Sequence, residues 1–420
     1  MKDSGVQWIG LIPDDWETEV LKNFVKVNNG KEIEKEEKEY SENAIPVYGS
    51  GGIFKYTNEY LFTGKSVMFG RKGTLGKPLY VDDTFWTVDT MYYLTAKENV
   101  DMKYIYYQLS AFDWIPFITQ TALPSIVASE VVSTKFPFPQ SISQQKKIAD
   151  FLDKKCSEIQ SAIDNTKQTI EEYKKLKQAV ITKAVTKGIR ENRKLKDSGI
   201  EWIGQIPEEW EVKRFGRVLN ERSEKNNPVK CTERLSCSID IGVTLYSEKT
   251  TNLDRFKDDF TQYKLAHVGD LVMNSMNVIV GSEGISAYYG CVSPAYYTYY
   301  DEVEDHYTAR FCDYLLKTKG MKRLLFSLGR GIYAIERGDG RINTCRLKVP
   351  REDLKAIDIP VPDLSEQKEI VDYLDKYSKK IDTLISQKEQ FITELEKYKQ
   401  SLIYEYVTGK KEVKLGENDA

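Results

Sequence analysis

The chain has 420 residues, 61 Lys and Arg against 64 Asp and Glu, and a net charge of −3. That length accommodates two to four domains. The balanced charge excludes a uniformly basic nucleic-acid coat but not local basic clusters. No apolar run approaches the ~18 residues of a membrane span, and the opening MKDSGVQWIG has no apolar signal core, so a cytoplasmic protein without membrane association is expected. Six scattered Cys form no Cys-x-x-Cys, and His267 and His306 are the two His. Neither a structural zinc site nor a disulfide framework is expected, and no metal site is assigned.

In chain order, residues 2–17 read KDSGVQWIGLIPDDWE, a motif that returns at 196–211 as KDSGIEWIGQIPEEWE. A block of mixed β and short helices follows the first copy, with β-rich runs at 66–69, 85–88 and 92–94 and an amphipathic helix at 104–112. Within it, 61–80 (LFTGKSVMFGRKGTLGKPLY) carries Lys65, Arg71, Lys72 and Lys77 and no acid. Glycines flanking Arg71, Lys72 and Thr74 permit close backbone approach, and bare amides and cations suit phosphate oxygens or guanine edges. A second Gly-rich loop presents Tyr48 and Ser50.

The block leaves through Phe136-Pro137-Phe138-Pro139. Proline removes an amide donor and holds its predecessor extended, so this exit reads as a strand, with Ser141 or Ser143 as the following N-cap. Residues 143–187 contain neither Pro nor Gly. Leu152, Cys156, Ile159, Ile163, Thr166, Ile170, Tyr173 and Val180 recur at alternating four and three, a coiled-coil seam. At 1.5 Å per residue the helix is a rod of ~65 Å, stopped by Gly188.

After a polar linker at 189–194 the plan repeats. The second block has β-rich runs at 270–273 and 295–299 and a helix at 307–316. Asn274, Ser275 and Asn277 offer groups suited to adenine edges. The stretch 316–348 is rich in Lys and Arg and includes Arg330, Tyr333, Arg337 and Arg341 as candidate DNA contacts. The exit is Ile359-Pro360-Val361-Pro362, Ser365 is the expected N-cap, and 365–409 forms the second long helix with a seam of Leu374, Ile381, Ile385, Ile392, Leu395, Leu402 and Tyr406. An α+β chain is expected: two mixed α/β domains joined by two long helices in an antiparallel coiled coil, with pseudo-two-fold symmetry. That plan returns the C-terminal end of the second helix to the first motif.

No catalytic constellation is legible. Gly64-Lys65-Ser66 resembles the end of a phosphate-binding loop, but position 59 is Glu rather than the required Gly. Pro13-Asp14 with Glu36-Glu37-Lys38 distantly resembles a metal nuclease pattern, yet KEIEKEEKE at 31–39 reads as a solvated charge run. A binder is therefore expected. Each Gly-framed basic turn taken alone is an ordinary surface turn; their occurrence in both halves points to DNA. A two-headed protein–protein scaffold remains the rival reading.

The duplicated KDSGxxWIGxIPxxWE, the exit Pro-Val-Pro-Asp-Leu-Ser-Glu-Gln at 360–367 and the long helix after it resemble the specificity (S) subunit of type I restriction-modification systems, over the whole chain. The first exit departs from that pattern, with Gln140-Ser141-Ile142-Ser143-Gln144-Gln145 after Pro139. The resemblance implies target recognition domains at 1–140 and 189–362, spacer helices at 141–188 and 363–411, and a polar tail at 412–420. It implies that each domain reads one half of a bipartite double-stranded DNA site and that the coiled coil sets the gap. It implies a non-catalytic subunit without a cofactor of its own. Two modification subunits would use S-adenosylmethionine to methylate adenines, and two restriction subunits would use ATP and Mg to translocate and cleave.

Overall fold

The computed structural model describes residues 1–33, 44–239, 241–249, 259–302, 305–332 and 346–413. The chain divides into two compact units, 1–168 with 388–420, and 169–387. Each unit holds one motif copy, one variable block and half of each long helix.

The two motif copies fold alike and share their main turn hydrogen bonds. Lys2–Asp3 pairs antiparallel with Leu11–Ile12, and Leu195–Asp197 with Gln205–Pro207. Asp3 Oδ1 accepts the Gly5 amide at 3.0 Å, as Asp197 Oδ1 accepts that of Gly199 at 3.0 Å. The Ser4 amide donates to Gly10 O at 3.0 Å and the Ser198 amide to Gly204 O at 2.9 Å. Gly10 and Gly204 sit at φ +69° and +67°, a left-handed turn that a side chain would strain. Trp16 and Trp210 close the motifs and are both buried.

The Pro-rich exits are strands, as their sequence requires. Lys135–Phe138 pairs with Glu17–Val20, and Asp358–Val361 with Glu211–Arg214, so each exit returns antiparallel to the residues just after its motif. These are two-stranded ladders, where a Pro missing its donor is tolerated.

The long helices are Ile142–Lys187 and Leu364–Val407. Ser141 Oγ accepts the Gln144 amide at 3.2 Å, which fixes Ser141 as the first cap. The second cap is Asp363, whose Oδ1 accepts the Glu366 amide at 2.8 Å, and not Ser365, which lies within the helix. The carboxylate is the better acceptor, and it sits where the helix dipole is positive. Gly188 and Gly409 end the helices at φ +75° and +70°, the left-handed C-terminal geometry.

Within each unit the helix halves run antiparallel. In the first, the Phe151 and Tyr406 rings meet tilted at 38° (4.5 Å between centroids) and Lys399 Nζ donates to Gln160 Oε1 at 3.2 Å. In the second, Lys177 contacts Asp382 at 2.7 Å and Arg190 contacts Glu369 at 2.8 Å. Of the expected seam, Leu152, Ile159, Ile163, Ile170, Leu374 and Ile381 are buried. Ile385, Ile392 and Leu395 are only half-buried, because two helices alone do not enclose a seam that no further layer covers.

Each helix end docks on a motif copy. In the first unit Tyr404 Oη donates to Ile9 O at 2.9 Å and Lys410 Nζ to Ile9 O at 3.0 Å, so the second helix does return to the first motif. Tyr104 Oη reaches both Pro137 O and Val407 O at 3.1 Å. In the second unit the close of the first helix meets the second motif: Lys187 Nζ donates to Gln205 O, and Glu366 takes Arg193 and the Trp210 indole N–H (3.0 Å).

The blocks differ. The first is a six-stranded sheet in the spatial order Val25–Asn29, Met91–Ala96, Phe62–Gly70, Leu79–Thr87, Ile45–Gly49, Gly52–Thr57, backed by helix Met102–Ala111. All its pairs are antiparallel except Ile45–Gly49 with Leu79–Thr87. The second has a four-stranded sheet, Asn220–Glu221, Tyr296–Tyr300, Leu271–Asn274, Glu283–Ile285, with helices Tyr307–Leu316 and Lys319–Leu328. The helix expected at 307–316 occupies those residues, and the one expected at 104–112 begins two residues earlier, where Asp101 caps it by accepting the Lys103 and Tyr104 amides.

Candidate nucleic-acid interface

In the first block the central strand Phe62–Gly70 has its last five residues buried and then opens into the turn 71–78. Arg71, Thr74 and Lys77 are exposed and Lys72 is half-exposed. Among the described residues none of the three cations has an ion-pair partner. The backbone, not side-chain pairing, holds the turn. The Arg71 amide donates to Thr90 O at 2.8 Å, and Ser50 Oγ accepts the Thr74 amide at 3.0 Å. A Cβ on Gly73 would lie 2.8 Å from Ser50 Oγ, and Gly73 has φ +82°, so this approach depends on glycine. The two loops separated by twenty residues in sequence thus form one surface.

Tyr48 is half-buried; its ring lies edge-on to Phe85, and its carbonyl accepts the Thr87 hydroxyl at 2.9 Å. Burial and then the charge of Asp83 raise its phenol pKa, keeping a hydroxyl donor. Lys65 is not part of the cluster. It stands six strand residues back from Arg71, about 20 Å at strand rise, facing Asp82 at 4.0 Å.

The second block arranges its candidates differently. Asn274 and Ser275 are buried, and their expected exposure to base edges is corrected by the structure. Asn274 Oδ1 accepts the Met276 amide at 3.2 Å, closing the turn on itself, as Asn does in an Asx turn. The Ser275 carbonyl accepts the Val349 amide at 3.0 Å. Asn277 is half-exposed and Met276 exposed. Arg330 is exposed on the hairpin Arg330–Ile332 with Arg346–Lys348, and contacts Asp353 at 2.7 Å. Tyr333, Arg337 and Arg341 lie outside the described residues, as do Glu36, Glu37 and Lys38.

One further equivalence was not legible in the sequence. In the second unit the strand pair Arg330–Ile332 with Arg346–Lys348 precedes the short helix Arg351–Lys355 and the exit strand, and the Val349 amide just after it bonds to the loop after the central strand. In the first unit a bridge joins Ile118 to Ile126 ahead of the short helix Ala128–Val132, and the Ile126 amide donates to Arg71 O at 3.0 Å. The hairpin 118–126 is thus the first unit's counterpart. It carries no basic cluster, since 113–129 contains no Lys or Arg. Its position before the exit was the available signal.

Electrostatically the second unit also holds a buried carboxyl that has no counterpart among the described residues of the first. Glu283 is 2% exposed on the strand beside the Asn274 turn, with Oε2 unpartnered. Burial, and secondarily Asp313, push its carboxyl up to about 7. Arg222 and Asp270 form a bidentate pair beneath the same sheet, at 2.6 and 3.0 Å. Among the described residues there is no group of three His, Cys, Asp or Glu placed to hold a metal ion, and no helix is long and apolar enough to cross a membrane.

The repeated framework is matched by known proteins. A family profile described as type I restriction modification DNA specificity domain matches residues 13–174 and 341–394. The type I restriction enzyme MjaVIII specificity subunit of Methanocaldococcus jannaschii is 26% identical, over 96% of this chain and 94% of its own length. The EcoDI specificity subunit of Escherichia coli is 20% identical over 94% and 88%. A chain from a structure described as showing complex assembly and conformational transition of the type I R-M system shares the fold at TM-score 0.64, with 15% identity, over 94% of this chain and 98% of that one. The HsdS subunit from Thermoanaerobacter tengcongensis aligns at TM-score 0.50 and 15% identity, over 95% and 98%. The chain belongs to the type I restriction-modification specificity subunit family.

Proposed function

We propose that this subunit reads an asymmetric, bipartite DNA site for a type I restriction-modification assembly. The domain at 1–140 reads one half-site and the domain at 189–362 the other. The helices at 141–188 and 363–411 set the gap between them. The observation that supports this most is the placement of charge. The same scaffold carries an exposed Gly-framed basic turn at 70–77 in one unit and exposed Arg330 and Lys348 on the strand pair Arg330–Ile332 with Arg346–Lys348 in the other. Two different faces on one framework suit two different half-sites.

In this reading the chain is itself non-catalytic and acts in the cytoplasm. Two modification subunits supply S-adenosylmethionine chemistry on an adenine in each half-site, and two restriction subunits supply ATP- and Mg-dependent translocation and cleavage. The half-open helical seam, with exposed Phe391 and Tyr398 seven residues apart on one helix, suits docking of the modification subunits. The test is duplex binding by the chain assembled with modification subunits across a salt series. Log affinity should fall linearly with log salt, by about 0.9 per phosphate contacted. Absence of binding to any duplex, with the assembly intact, would favour the protein–protein scaffold instead.

A further inference from the structure

We propose that the tip of the hairpin 118–126, from Gln120 to Leu123, reads bases in the first half-site and selects an A·T pair. This rests on the DNA-reading function proposed above and adds a reading element that carries no charge.

The stem of the hairpin is clamped. The Thr119 amide donates to Ser125 O at 3.0 Å, the Ser125 amide to Thr119 Oγ1 at 3.0 Å, and the two hydroxyls lie 3.1 Å apart. The stem is also fixed to the basic turn at two points. One is the Ile126 amide on Arg71 O. The other lies just before the stem, at Trp114, which is buried against Phe69 and Phe112 and whose Cβ would lie 3.2 Å from a Cβ on Gly76. Beyond this anchored stem Gln120, Thr121, Ala122, Leu123 and Pro124 are all exposed. Leu123 is 61% exposed, and nearby Ile115 is 80% and Val127 41% exposed. Three large aliphatic side chains on one short segment contribute nothing to the core there, while the same segment contains no cation to hold a phosphate.

The chemistry of the tip selects among base pairs. A Gln carboxamide presents one donor and one acceptor, which match adenine N6 and N7 in the major groove. The Thr121 hydroxyl is occupied by Leu123 O at 2.9 Å, leaving a methyl. Ala122 and Leu123 add apolar surface of the kind that meets the thymine C5-methyl. The second unit places its Arg330 hairpin at the equivalent point, so the position before the last short helix is a reading position in both. Phosphate contact falls to the turn in the first unit, which frees its hairpin from carrying charge.

The test uses the full chain assembled with its modification subunits and three forms: wild type, Arg71→Ala, and Gln120→Ala with Leu123→Ala. The readout is methylated-adenine sequencing over a randomised target pool, with duplex binding across a salt series. Arg71→Ala identifies the first half-site as the one it weakens. The double variant should lose about tenfold in discrimination at one or two adjacent A·T pairs of that half-site, with the salt slope and the other half-site unchanged. Gln120→Ala alone should account for most of the loss at the adenine. An unchanged half-site, in a double variant that still methylates, overturns the proposal. So does a reduced salt slope with unchanged discrimination, which would make the tip a positioning contact. A wild-type assembly that binds no duplex overturns the DNA-reading function itself.

Discussion

The two exposed faces of this chain solve one electrostatic problem with different elements. In the first unit the cations sit on the turn that continues the central strand, and the hairpin before the exit is neutral and partly apolar. In the second unit the central strand ends in a tight turn with Asn274 and Ser275 buried, and the cations move to the hairpin. Beneath both faces the motif turn and the exit ladder keep corresponding backbone hydrogen bonds, while each helix end docks on its motif through its own side chains. If both faces meet a duplex, as proposed, the requirement for positive charge constrains the face as a whole, not any one loop. That freedom lets the blocks diverge while the framework does not.

If the framework is equivalent in the two units, its keystones should matter similarly, and this carries the largest expected effect. Trp16→Ala and Trp210→Ala each remove a buried indole and should cost about 3–5 kcal/mol in denaturant unfolding of the full chain. Trp210→Ala should be the more severe, because it also removes the N–H that Glu366 Oε2 accepts. A negligible effect for either would break the equivalence.

The second-largest effect belongs to the second unit alone. Glu283 has a folded pKa of about 7 against an ordinary 4.5, so between those values the folded state holds the extra proton. Stability then falls as pH rises through that window, and above it the buried charge costs about 3 kcal/mol. Glu283→Gln should therefore raise the melting temperature at pH 8 and change it little at pH 5. Equal shifts at both pH values would show that the carboxyl is not protonated in the fold.

The smallest expected effect is the most informative about the faces. Arg71→Ala and Arg330→Ala should each weaken binding through its own half-site, by about 1 kcal/mol, and lower the salt slope by about 0.9. Arg330 begins from a contact with Asp353, which it must give up or share, so its effect should be the weaker. Either variant weakening both half-sites equally would contradict the division of labour.

Much of this architecture was legible in the residues. The repeat, both helices and their Gly stops follow from periodicity and the lack of breakers, and local rules suffice for them. Ser365 and Asp363 are both residues that cap helices, and only geometry shows that the Asp363 oxygen is the one that reaches the Glu366 amide. Asn274 and Ser275 looked like readers because polar residues after a strand are usually exposed, whereas here the turn folds back beneath Val349. The half-open seam at Ile385, Ile392 and Leu395 reflects how many layers surround a coiled coil, which heptad spacing does not encode. Lys65 belonged by composition to the basic stretch but lies a strand's length from it. The hairpin 118–126 had no charge to draw attention and emerged only from its equivalence to the second unit.

The central claim is that two independent readers are held at a gap fixed by the paired helices. It is tested most directly by inserting one heptad into each long helix, near Gln168 and Gln387, and sequencing methylated adenines made by the assembled complex. The account predicts the same two half-sites separated by a longer gap. Altered half-sites with an unaltered gap would contradict it.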